Sequence, residues 1–119
     1  MAQLDFIAHL DTTELAPGAF VVSVHGSLDA RMASELRDVL IPLAAADESV
    51  ILLDLLDAHG VDDDSLAVVA RAAHLAARRG QNLAIVTRSR SLVDRVTRCG
   101  LGDVVTLRST VEEVLRDGC

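Results

Sequence analysis

Three consecutive carboxylates, Asp62, Asp63 and Asp64, form the densest group of chemically capable side chains in the sequence, and Ser65 and Leu66 follow them directly. Carboxylates at such a position can cap a helix and interact favourably with its dipole, which stabilises the helix by about 0.3–1 kcal/mol for each exposed charge. They can also bind a cation, but the spacing lacks the glycine turn of a calcium-binding loop, so we predict no metal site. Capping alone does not explain three adjacent like charges.

The histidines do not form a catalytic or metal-binding group in the sequence, because no two of them stand at ligand spacing. They are His9, His25, His59 and His74. His59 precedes the acidic segment, and we include it, together with Asp29, as a contributor to the candidate site. The serine-hydrolase, dinucleotide-binding and P-loop motifs are all absent from the sequence, which predicts a protein that is not an enzyme.

The charge of the chain excludes several partners. The formal net charge is −7, and every basic residue is an arginine. An acidic surface repels phosphate backbones and anionic lipids, so we expect neither nucleic acid nor membrane as a partner. The absence of lysine from the sequence also argues against Schiff-base chemistry, a Walker lysine and a receiver domain of two-component signalling. We therefore expect no cofactor.

The two cysteines and the apolar runs bear on the cellular compartment. Cys99 is predicted to be a buried thiol, and Cys119 is the last residue. The two cysteines are too far apart in the sequence to form a metal-binding motif such as CxxC. No apolar run approaches the roughly 18 residues of a transmembrane helix. The first residues lack the basic and apolar regions of a signal peptide. These features predict a cytoplasmic protein.

Strands and helices alternate along the chain, which predicts an α/β fold with a mixed, mostly parallel sheet of about five strands and about four helices. The predicted strands are residues 4–9, 19–25, 50–55, 83–87 and 104–107, and the predicted helices begin near Asp29, Ser65, Ser91 and Thr110. Pro42 is expected to kink or end the first helix, because proline removes a backbone donor. Residues 56–61 are predicted to be an irregular loop. A single domain is expected over residues 1–119, with its core at about 19–115 and an N-terminal strand and turn over 1–18.

The order of these segments resembles that of a known family. Gly26-Ser27-Leu28-Asp29, followed by a helix that contains Glu35-Leu36-Arg37, resembles the opening of a STAS domain. Residues 51–55 are similar to the central strand of that family, and Gly100-Leu101 to its closing segment. The resemblance extends over about residues 19–115 and is closest in type to the anti-sigma factor antagonists.

The resemblance also implies a site. The family's signature after the central strand is an apolar residue, Asp, Ser or Thr, Ser or Ala, Gly and Leu, and this chain reads Val61-Asp62-Asp63-Asp64-Ser65-Leu66. Asp63 therefore stands where anti-sigma factor antagonists have their phosphorylated hydroxyl. An aspartate carries one negative charge at this position, whereas phosphoserine carries about 1.5–2. Ser65 lies two positions later, about 200° around a helix, and is not expected to replace that hydroxyl.

The function implied by the resemblance is regulatory binding. An anti-sigma factor of the serine-kinase type is the expected partner, bound through residues 62–66 by a monomer or weak homodimer. Two alternatives remain at this point: a STAS-type sensor of a nucleotide or lipid, and a scaffold subunit of a larger signalling complex.

Overall fold

The computed structural model describes residues 9–46 and 50–117, and the elements alternate as the apolar pattern predicts. They are β1 His9–Ala16, β2 Ala19–Leu28, α1 Ala30–Ala45, β3 Val50–Val61, α2 Asp63–Ala77, β4 Leu83–Val86, α3 Arg90–Arg98, β5 Val105–Arg108 and α4 Val111–Asp117. The predicted α/β class, with five strands and four helices among the described residues, is confirmed.

The strands form one sheet in the order β1-β2-β3-β4-β5. The first pair, β1 and β2, is antiparallel, and each later pair is parallel. A turn at Pro17 and Gly18 joins the antiparallel pair, and Gly18 adopts a φ of 80°, which favours glycine. Of the strand predicted at residues 4–9, only His9 lies within the described residues. The observed strand continues instead to Ala16, a polar segment whose side chains are largely exposed at the sheet edge.

Two layers of apolar side chains cover the sheet. The larger core lies between one face and helices α1, α2 and α3, and its centre contains Val22, Leu36 and Leu53, each fully buried. On the opposite face, Leu52 and Val86 pack against α4. The alternation of neighbouring strand residues between the two faces follows from the period of two in a β-strand.

Two local predictions were wrong, one on the segment 56–61 and one on the start of α3. The predicted loop 56–61 is the continuation of β3, since this segment pairs in parallel with the end of β2. Helix α1 contains Pro42 in its last turn and ends at Ala45, close to the predicted position, with Leu40 and Ala44 buried. Helix α3 begins one residue after Ser89, whose side chain accepts the backbone N–H of Leu92, and not at Ser91.

The environment of Cys99 also differs from the prediction. This residue lies just after α3 and is exposed as a free thiol, because Gly100, with a φ of 76°, ends the helix there and turns the chain toward buried Leu101. Among the helices that the structure describes, none combines the length and the apolar character needed to cross a membrane.

Candidate functional site

The start of α2 is organised by Asp62. Its Oδ1 accepts the backbone N–H of Ser65 at 2.8 Å, so Asp62 is the N-cap residue and the helix begins at Asp63. The backbone N–H of Asp62 donates to the carbonyl of Leu28 at the end of β2, at 2.9 Å. The helix start is therefore fixed both by its own cap and by the neighbouring strand.

Ser65 is fully buried at this helix start. Its hydroxyl lies 3.4 Å from the carbonyl oxygen of Asp29, to which it donates a long hydrogen bond. Asp29 in turn is the N-cap of α1, as predicted, and accepts the backbone N–H groups of Arg31 and Met32. The starts of α1 and α2 thus lie side by side, joined by the Ser65 hydroxyl.

Asp63, in contrast, extends into solvent. Its side chain is 98% exposed, and its Oδ1 lies 3.0 Å from Nη2 of Arg95 on α3. The other terminal nitrogen of Arg95 donates to the carbonyl of Val61 at the end of β3. Arg95 therefore joins α3 to the site. Sequence analysis missed this residue, because nothing in the pattern around it distinguishes it from the other arginines.

The remaining predicted residues occupy different environments. Asp64 is exposed beside Asp63, whereas Leu66 is only 7% exposed and anchors α2 in the core. His59 is exposed and lines a cleft of about 230 Å³ beside the site, together with Ser89 and Arg95. The exposed part of the helix start is therefore formed mainly by the acidic residues, and Leu66 supports them from the core.

The capping hydrogen bond lowers the pKa of Asp62 below its ordinary value, chiefly through the backbone N–H of Ser65, with a smaller contribution from the nearby charge of Arg95. A depressed folded-state pKa means that the ionised cap contributes stability above the unfolded-state pKa of about 3.9 and loses it as the pH falls through the folded-state pKa.

Asp62→Asn should remove this pH dependence, because asparagine caps without titrating. The difference in unfolding free energy between the parent and Asp62→Asn is expected to be constant above about pH 5 and to shrink at lower pH. Urea unfolding at several pH values measures it. Asp64→Asn is the matched control, since it removes the same charge from the same turn without removing the cap. If the difference in unfolding free energy between the parent and Asp64→Asn also shrank at low pH, a role for the cap itself would be contradicted.

The histidines are not as scattered as the sequence predicted. The rings of His9 and His25 stack with their centroids 4.6 Å apart, because the β1–β2 register places these two residues opposite each other. The predicted absence of a histidine pair was therefore wrong. In the part of the chain that the structure describes, Asp62, Asp63 and Asp64 do not bring their carboxylate oxygens close enough together to hold a metal ion.

The described residues define a small α/β domain in which an exposed helix start follows the central strand of the sheet. The chain belongs to the STAS domain family, whose sequence profile matches residues 12–114. It is 31% identical over 101 residues to anti-sigma-F factor antagonist RsfA of Mycobacterium tuberculosis, an alignment that covers 82% of this chain and 77% of that relative.

Solved structures share this fold. The structure of an anti-sigma factor antagonist from Mycobacterium paratuberculosis has a TM-score of 0.78 at 19% identity, and the alignment covers 93% of each chain. Unphosphorylated SpoIIAA, an anti-sigma factor antagonist, has a TM-score of 0.76 at 12% identity, over 92% of this chain and 96% of that one. The phosphorylated form of the Bacillus cell fate determinant SpoIIAA has a TM-score of 0.73 at 14% identity, over 93% and 100% of the two chains.

Proposed function

We propose that this protein is an anti-sigma factor antagonist that binds its anti-sigma factor through the start of α2, residues 62–66. The observation that carries the proposal is the exposure of Asp63, at 98%, on a helix start that is otherwise fixed by Asp62 and Ser65. A rigid turn with one projecting charged side chain suits recognition by a protein surface. The relative named anti-sigma-F factor antagonist supports the same function.

The proposal includes the loss of a phosphorylation switch at this position. Asp63 occupies the place of the family's phosphorylated hydroxyl and is itself no acceptor for a serine kinase. Its negative charge is permanent, and the adjacent Arg95 pairs with it at 3.0 Å. Ser65 does not replace the missing hydroxyl, since it is fully buried. A kinase-type anti-sigma factor would therefore meet a constantly charged surface in this protein.

At the start of α2, the geometry gives less support to a small-molecule sensor than to a protein partner. The cleft beside the site measures about 230 Å³, whereas pockets for drug-sized ligands have volumes of roughly 300–1,000 Å³. Arg95, which lines this cleft, already contacts Asp63 and the carbonyl of Val61. We therefore favour a protein partner. A kinase-type anti-sigma factor uses ATP in the cytoplasm, so we propose the same location for this protein. We also propose that it acts as a monomer or weak homodimer.

A sigma-release assay tests the proposal. The protein is added to a purified complex between a sigma factor and its kinase-type anti-sigma factor, and the freed sigma factor is measured. Ala67→Trp adds bulk at an exposed position one turn beyond Asp63 and should reduce release at least about tenfold if α2 is the contact surface.

Glu112→Trp is the matched control, because Glu112 is exposed in the first turn of α4 on the opposite face of the sheet, and this variant should act like the parent. Failure of both the parent and Asp63→Ser to release any sigma factor encoded in the same genome would refute the proposal.

A further inference from the structure

Four ionisable side chains converge on the α4 side of the sheet, away from the start of α2. We call them the strand cluster: His9 and Asp11 on β1, His25 on β2 and Asp57 on β3. His9 is paired with His25 in the antiparallel register, and His25 with Asp57 in the parallel register. Asp11 follows His9 by two residues and so lies on the same face.

Two of the three distances between candidate ligand atoms in the strand cluster are close to those around a single ion. Oδ2 of Asp11 lies 3.2 Å from Nε2 of His25 and 3.6 Å from Nε2 of His9. In a tetrahedral zinc site with bonds of 2.0–2.1 Å, neighbouring ligand atoms are separated by about 3.3 Å. One ligand atom from each of the three residues lies within 4.8 Å of the other two. Since the side chains are partly exposed, small rotamer adjustments can close the widest edge.

Asp57 provides an independent observation. Its Oδ2 lies 3.2 Å from Nδ1 of His25, while Nε2 of the same ring faces Asp11. A histidine that binds a metal commonly donates its second ring N–H to a carboxylate, which fixes the tautomer and orients the ring. Asp57 thus stands where it would hold the Nδ1–H tautomer of His25 and leave Nε2 available as a ligand.

We propose that His9, Asp11 and His25 bind one divalent transition-metal ion, with Zn²⁺ as the preferred ion and Asp57 as the residue that orients His25. Two imidazoles and one carboxylate suit zinc, whereas Mg²⁺ and Ca²⁺ select oxygen ligands. Three protein ligands leave a fourth position for water. The bound ion joins the edge strand β1 to β2, and so should stabilise the hairpin.

Calorimetric titration with zinc chloride tests the site on the full-length chain without an affinity tag. A Cys99→Ser, Cys119→Ser background removes thiols as competing ligands. One Zn²⁺ should bind per chain, raise the melting temperature, and shift the imidazole NMR signals of His9 and His25. Substitution by Co²⁺ should give the visible absorption of a tetrahedral centre, and Mg²⁺ should not bind.

Variants separate this site from incidental binding at the surface. His25→Ala should abolish one-to-one binding, and Asp57→Asn should weaken it about 10- to 100-fold. His59→Ala and His74→Ala, which remove exposed histidines outside the strand cluster, should leave the affinity unchanged. Circular dichroism checks that each variant is folded. Absence of one-to-one binding by the parent, or binding that survives His25→Ala, overturns the proposal.

Discussion

Asp63→Ser is expected to make the protein a substrate for a kinase-type anti-sigma factor and to strengthen its binding to that partner by about tenfold or more. The substitution removes a permanent charge from a 98% exposed position at the helix start and restores an acceptor hydroxyl. The resemblance to anti-sigma factor antagonists implies that the form that binds is the one without the phosphate charge. Stability should change little, because Asp62 still caps α2 and the exposed pair with Arg95 contributes only about 0–1 kcal/mol.

The measurement is a titration of the parent and of Asp63→Ser against the anti-sigma factor, with and without ATP, followed by mass spectrometry of the product. Asp64→Ser is the matched control, since it removes an adjacent exposed charge and adds a hydroxyl at the wrong position. It should remain unphosphorylated. Equal affinities for the parent and Asp63→Ser, without phosphate transfer to the variant, would show that Asp63 is only a helix-start residue.

Ser65→Asp is expected to lower the free energy of unfolding by at least about 3 kcal/mol, a large fraction of the 5–15 kcal/mol typical of a domain. Ser65 is fully buried against the start of α1, where its hydroxyl faces the carbonyl oxygen of Asp29. A carboxylate there would be buried without a cation and would oppose that oxygen. A phosphate on Ser65 would meet the same obstacle.

Ala67→Asp provides the comparison for Ser65→Asp. It introduces the same side chain two residues later in α2, at an exposed position, and should change stability by no more than about 0.5 kcal/mol. Urea unfolding followed by circular dichroism measures both variants. If the two variants were equally stable, the side chain at position 65 would be accessible, and the expectation that Ser65 is not a phosphorylation site would be wrong.

Sequence reasoning succeeded where a local pattern and the tertiary structure agree. The apolar run at 51–55 identified the first half of β3, and the carboxylates of Asp29 and Asp62 precede helices that they cap. The helix predicted to begin near Thr110 is α4, whose start is fixed by the N–H of Glu113 donating to the Thr110 hydroxyl at 3.2 Å. In each case the interaction is confined to one turn or one strand, so the sequence contains all of it.

The errors concern contacts between segments that are distant in the sequence. Asp57, His59 and Gly60 look like loop residues, yet pairing with β2 extends β3 through them to Val61. Arg95 reaches the α2 start across 32 residues, a contact that depends on how α3 packs. His9 and His25 meet only because the hairpin register places them opposite each other.

The hydrogen bond between the starts of α1 and α2 bears on how the protein would select its partner. Hydrogen bonds from Asp62 to Leu28, and from Ser65 to Asp29, hold the start of α2 against the body of the fold. Under the proposed function, a turn held in this way presents the same side chains to every anti-sigma factor. Selection among partners would then depend on the identity of the projecting side chains, and a substitution at Asp63 or Asp64 is expected to change that selection.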